Sequence, residues 1–250
     1  MSGQSRIITM SLRAERNNLL KGLPRRLQLF AMTLSILLIT SISWGQTTVT
    51  GRIQQTEKSI VTVRTELTHA MHTTPGRMAT FERTAVGLVI NPSGIIVTNT
   101  HTIIHAPFIF VILRDGSKLP AELLFSSKIY DFSFLRIHPP YPLHSIPWAD
   151  SSRIMVGDPV IAVRHLDHAQ HSIIPGHVKN IMQNPSTLSH DFFELDLDLH
   201  QGDSGGPILD NQGRLLGVIM AIRKSAPHTS IAIASNKIYQ QYLQYKKNMP

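Results

Sequence analysis

The sequence predicts an all-β fold of barrels or sandwiches, and three observations carry that expectation. Short runs rich in β-branched residues recur between Ser59 and Ala234, turn residues separate them, and helical periodicity is confined to the end of the chain. In order, the runs are 59–65 (SIVTVRT), 84–90 (TAVGLVI), 94–100 (GIIVTNT), 108–113 (FIFVIL), 121–125 (AELLF) and 132–137 (FSFLRI). They continue at 159–164 (PVIAVR), 192–199 (FFELDLDL), 206–210 (GPILD), 215–222 (LLGVIMAI) and 230–234 (SIAIA). NPSG at 91–94 and RDGS at 114–117 read as hairpin-like turns. The stretches 68–82 and 138–148 read as loops from their proline, glycine and polar content, and the second marks the boundary between two β halves. From 236 to 247 the chain turns helical, with Ile238, Tyr239, Tyr242, Leu243 and Tyr245 on one broad face and Asn236 as the expected cap.

Composition narrows the class. A hydrophobic fraction of 42% and a charged fraction of 16% over 250 residues describe a globular protein able to bury a large core. The chain has no cysteine, which excludes disulfides and thiolate metal sites. Residues 1–26 contain six basic residues against Glu15, a net +5, so only +3 of the formal +8 belongs to the other 224 residues. The remaining basic clusters, 223–224 and 246–247, are short and lack interleaved aromatics, so nucleic-acid binding is not expected.

The basic block precedes an uncharged run, 27–44 (LQLFAMTLSILLITSISW). A positive flank before an apolar run is the pattern of an export signal, and the run also approaches the length of a membrane anchor. Both readings place the globular part outside the cytoplasm, periplasmic or secreted. The domain expectation is therefore a basic and hydrophobic N-terminus over 1–45 and one β domain over 46–250.

The stretch DLHQGDSGGPILD at 198–210 raises the chemical question. Tandem glycines are costly in backbone entropy and are kept where the chain turns tightly or something approaches it closely. Ser204 stands in that turn. A serine hydroxyl becomes a nucleophile only with a base in reach and an orienter for that base. His101 ends one expected strand and Asp131 opens another, so both sit on backbone that a packed scaffold can hold.

NPSGIIVTNTHTI, YDFSFLRI and QGDSGGPILDNQGRLLGVI resemble the His, Asp and Ser segments of the HtrA (Deg) branch of trypsin-like serine proteases. They stand in the same order, with separations of 30 and 73 residues, and SIAIASNKI resembles the segment that closes that domain. The resemblance covers about 59–245. It implies two six-stranded antiparallel barrels of the chymotrypsin type, over about 46–138 and 148–235, followed by a short helix. It implies that His101 is the general base, Asp131 its orienter and Ser204 the nucleophile, with the Gly202 and Ser204 N–H groups as the oxyanion hole. It also implies polypeptide substrates and no cofactor or metal; proteins of that branch are often trimers, so a homo-oligomer is one option, but the sequence itself does not set the oligomeric state. The expected function is a serine endopeptidase acting on exported or unfolded polypeptide. The alternative is a catalytically silent two-barrel protein that binds peptides or partners.

Some residues depart from the pattern. Asp203 stands where HtrA proteins commonly have asparagine. Trypsins carry the acid and pair it with a new N-terminus, but this chain has no matching activation site, so Asp203 is expected to find another partner or lie near solvent. Ala85 replaces a member of a small glycine-serine cluster. The residues after 235 are too few for a PDZ domain. Asp198, six before Ser204, falls where trypsins place a specificity acid, but Asp196 and Asp198 also share one strand face opposite Leu195, Leu197 and Leu199, which reads equally as a solvated face. His165, His168 and His171 lie close in sequence without a set of carboxylate or thiolate ligands arranged around them, so a solvated loop is expected rather than a metal site.

Overall fold

Two β-sheets, one curled and one closed, dominate the computed structural model, which describes residues 49–70, 78–127, 129–166, 170–183, 190–200, 202–222 and 228–248. The hydrophobic run at 27–44 lies outside the described residues. Among those described, no helix is long and apolar enough to cross a membrane.

After helix α1 (Val49–Glu57), strands β1 (Ile60–Ala70), β2 (Met78–Asn91), β3 (Ile95–Thr98), β4 (Phe108–Ile112), β5 (Lys118–Pro120), β6 (Glu122–Ser126) and β7 (Ser133–Arg136) form the first sheet. Their order is β5-β4-β1-β2-β3-β7-β6, with β5 and β6 at opposite edges. Ala121 alone separates those two strands in sequence. One bent segment therefore pairs with β4 at its start and with β7 at its end, which curls the sheet on itself. Seven strands appear where six were expected because Pro120, which has no N–H to donate, falls at the bend and splits that segment.

The second sheet is the expected six-stranded closed barrel, β10-β13-β12-β11-β8-β9. Its strands are β8 (Pro159–Leu166), β9 (Gln170–Gln183), β10 (His190–Leu195), β11 (Pro207–Leu209), β12 (Leu215–Ile222) and β13 (Ser230–Ala234). Between the sheets the 138–148 segment crosses over. Leu143 and Ile146 donate to the Pro92 and Val89 carbonyls at 3.0 and 2.8 Å, and Ala149 donates to Leu215 in the second barrel at 2.9 Å. The seam between the halves is apolar: Val86, Phe132 and Phe134 from the first half share one buried cluster with Val163, Leu209, Val218 and Ile233 from the second.

Several local expectations give way to pairing. The 68–82 stretch was expected as a loop, but β1 and β2 continue into it in unbroken register, with Thr68 opposite Thr80 and Ala70 opposite Met78. Backbone hydrogen bonding to a neighbour outweighs polar composition there. β9 carries Pro175 and Gly176, which mask it in sequence, yet it pairs with both β8 and β10. The expected 192–199 strand ends at Leu195, and the helices α1 and α2 (Thr100–Ile103) were not anticipated. The terminal helix α3 (Ser235–Lys247) is capped at Ala234 rather than at Asn236. Asn236 instead donates its N–H to Ser151 Oγ at 3.0 Å and its Nδ2–H to Asp150 Oδ1 at 2.8 Å. A neighbouring segment thus satisfies an orphan donor of the first turn, so no local cap is required.

Candidate active site

β3 carries the chain through the buried Thr98 and Asn99 into α2, whose second residue is His101. The first turn of a helix has unsatisfied N–H groups, and here one of them finds a carboxylate from across the sheet. His101 N–H donates to Asp131 Oδ1 at 2.8 Å, and the His101 ring Nδ1 lies in hydrogen-bond contact with Asp131 Oδ2. An ionised carboxylate only accepts, so Nδ1 carries the proton and Nε2 is left as the basic nitrogen. Asp131 is itself held, because Asn99 Nδ2–H donates to its backbone carbonyl at 2.8 Å. Beneath the turn, hydroxyl bonds link Thr100 to Ser133 at 2.8 Å and Ser133 to Ser126 at 2.7 Å.

This geometry raises the His101 pKa above its usual value. The hydrogen bond to Asp131 is the largest cause, burial opposes it, and the Asp131 charge adds to the rise. The rise prevails because half of the imidazole remains exposed while the carboxylate contacts it directly.

Ser204 enters from the second barrel, half-buried, on the loop between β10 and β11. Its carbonyl accepts from Val86 N–H in β2 at 2.9 Å. The Val86 carbonyl in turn accepts from Thr98 Oγ1–H at 2.8 Å, three residues before His101. A short chain of bonds therefore ties the serine turn to the strand that delivers the histidine. Gly205 is required at this contact: its φ is +85°, and a Cβ there would meet the Val86 carbonyl oxygen at 2.0 Å. Gly202, with φ of +102°, is the third residue of a turn closed by Asp203 N–H to the His200 carbonyl at 3.1 Å. Glycine adopts a positive φ at that place without strain.

Asp203 is buried, with 4% of its side chain exposed, and its partner is Arg164 in β8. Arg164 Nε–H donates to both carboxylate oxygens, at 3.2 and 3.0 Å, and His200 N–H donates to Oδ2 at 2.7 Å. Arg164 Nη2–H also donates to the Asp198 carbonyl and to His200 Nδ1, each at 2.6 Å. Sequence reasoning did not find Arg164. Its only signal was an arginine ending the apolar PVIAVR run.

Asp198 contributes its backbone to this network. Its carboxylate is 64% exposed and lies 3.4 Å from His228 Nδ1. Asp196 is also exposed, while Leu195, Leu197 and Leu199 are buried, which is the face division expected for a solvated acidic side. Asp150 caps the short turn Ser151–Arg153, where hydrogen bonds from Ser152 and Asn236 pull its pKa down to about 2. Asp167 and the side chains of His165, His168 and His171 lie outside the described residues. Among those described, no group of three or more histidines and acids is placed to hold a metal ion.

A family model described as a trypsin-like peptidase domain matches residues 85–218, more than half of the sequence. The chain belongs to that family. The match spans the His101, Asp131 and Ser204 segments together. The chain is 33% identical over 145 residues to the periplasmic pH-dependent serine endoprotease DegQ of Escherichia coli, covering 57% of this chain and 32% of that protein. It is 31% identical over 150 residues to a DegP-like protein of Bartonella henselae, named a probable periplasmic serine endoprotease, covering 59% and 30%. The chain thus spans about a third of the length of these curated relatives. The fold matches an HtrA-type protease, AlgW, solved with a decapeptide: TM-score 0.67 at 20% identity, over 80% of this chain and 68% of that one. At that identity the likeness is one of fold, and it makes the two sheets those of a chymotrypsin-like peptidase domain.

Proposed function

We propose that the protein is a serine endopeptidase in which His101, Asp131 and Ser204 act as a triad. The observation that carries this reading is the double grip of Asp131 on the His101 backbone N–H and ring Nδ1. That grip leaves Nε2 as the base, the tautomer that general-base catalysis requires.

In the proposed reaction Nε2 takes the Ser204 hydroxyl proton as Oγ bonds to the scissile carbonyl carbon. The carbonyl oxygen becomes an oxyanion facing the Gly202 and Ser204 N–H groups, donors worth about 3–4 kcal/mol each in such sites. The imidazolium then protonates the leaving amine, the C–N bond breaks, and an acyl-enzyme remains. Water repeats the sequence on the ester and releases Ser204. Asp131 stays ionised throughout and stabilises the imidazolium.

The substrates are exported or unfolded polypeptides, and the peptidase domain works outside the cytoplasm. The basic flank before 27–44 supports this placement, as do the relatives named as periplasmic endoproteases. Labelling by a fluorophosphonate probe tests the reading. Labelling of the wild type that is lost in Ser204→Ala is expected, whereas a well-folded wild type that never labels would favour a silent peptide-binding protein.

A further inference from the structure

Among the described residues, one guanidinium on β8 hydrogen-bonds to the loop before the nucleophile at three places. Arg164 binds the Asp203 carboxylate through Nε, and the Asp198 carbonyl and His200 Nδ1 through Nη2. It thereby grips the positions one, four and six residues before Ser204, all on backbone that has already left β10. The same acid closes the loop from within, by accepting from His200 N–H and by donating its own N–H to the His200 carbonyl. The turn so closed holds Gly202 at φ of +102° and delivers Ser204.

A carboxylate buried to this degree is costly unless a charge faces it, and an arginine remains charged at every working pH. Nε bonds to both oxygens also fix its direction, which a mobile point charge would not. Asp203 without Arg164 has one inexpensive escape: to rotate toward water. That rotation breaks its bond to His200 N–H and releases the turn that carries Gly202 and Ser204.

We propose that Arg164 is a positioning residue for peptide-bond hydrolysis, which neutralises Asp203 and so holds the Gly202–Ser204 turn in its oxyanion-binding form. The inference rests on the triad reading above. Arg164 touches neither substrate nor the reacting atoms; it acts through Asp203 and the 198–203 backbone.

The rate constant for fluorophosphonate labelling of Ser204, followed across pH, tests this. Arg164→Ala is expected to label 10²–10³ times more slowly, the loss typical of one missing oxyanion donor. The midpoint of its pH profile should stay at the wild-type value, because His101 and Asp131 are held from the other sheet. Arg164→Lys should be intermediate, since an ammonium can face Asp203 but cannot also span Asp198 and His200. The double variant Arg164→Ala/Asp203→Asn removes the charge that needed neutralising, and should label at least tenfold faster than Arg164→Ala. If Arg164→Ala does not fold, the double variant is compared with wild type, and labelling within about thirtyfold supports the role. An Arg164→Ala rate near wild type overturns the inference alone, as does a double variant that recovers nothing or falls below that limit. Wild-type protein that never labels removes the peptidase reading and this inference with it.

Discussion

Two aspartates flank the proposed triad chemistry, and the protein treats them in opposite ways. Asp131 keeps 24% of its side chain exposed and faces a histidine that titrates. Asp203 keeps 4% and faces an arginine that does not. A carboxylate that must stabilise a charge appearing and vanishing on its partner has to tolerate both states of that partner, so partial hydration suits it. A carboxylate whose task is to hold backbone needs one permanent partner and no water. In the proposed mechanism the first arrangement serves a reaction coordinate and the second serves geometry.

The sharpest way to break this contrast is at Asp131. Asp131→Asn should fold normally but lower kcat by about 10⁴, because the amide favours the wrong imidazole tautomer. Near wild-type turnover with an unchanged melting temperature would remove Asp131 from the triad. On the backbone side of the comparison, Gly205→Ala should cost about 2–5 kcal/mol in denaturant unfolding, from a clash with the Val86 carbonyl and a left-handed backbone. A loss below 1 kcal/mol would mean the Ser204 turn is held less tightly than the contacts imply.

The pH response separates the two acids further. Because the Asp131 hydrogen bond raises the His101 pKa, neutral imidazole is recovered only above the usual ~6.5. Activity as kcat/KM should therefore fall about tenfold per pH unit below that raised value. Stability from the same pair runs the other way: it is fully present below the unfolded value of ~6.5 and is lost as pH rises through the raised folded value. Acid should thus silence the enzyme while this pair stabilises the fold. A kcat/KM midpoint below 6 would contradict the raised pKa. The smallest expected effect is at a third acid. Tyr130 donates to Asp191 Oδ2 at 2.7 Å beside Lys237, so Tyr130→Phe should cost about 1–3 kcal/mol in thermal unfolding and leave the pH profile unmoved.

Legibility in the sequence followed the range of each interaction. His101, Asp131 and Ser204 were readable because each sits in a short stretch whose turn, strand start and glycines are local. The meeting of His101 with Asp131 followed from adjacent strands, β3 and β7, in one sheet. Arg164 was not readable: it reaches Asp203 across 39 residues, and nothing in PVIAVR says where a β8 side chain points once the barrel closes. Asp198 was readable as a position but not as a role, since its carbonyl enters the network while its carboxylate faces out. Asn236 failed as a cap for the same reason, because Ser151 and Asp150 arrive from another segment.

By itself the sequence determined the all-β class, the two-part division at 138–148, the terminal helix and the side chains proposed for the triad. These depend on the period of apolar residues, on turn chemistry and on functional groups that no other residue type supplies. The tertiary structure decided how the halves meet and which charges face each other. It curled the first sheet through the bend at Pro120–Ala121, extended β1 and β2 into a stretch that reads as loop, and set Arg164 against Asp203. Those outcomes come from pairing and burial between residues far apart in the chain, where the energy of a contact depends on a neighbour that local sequence does not specify.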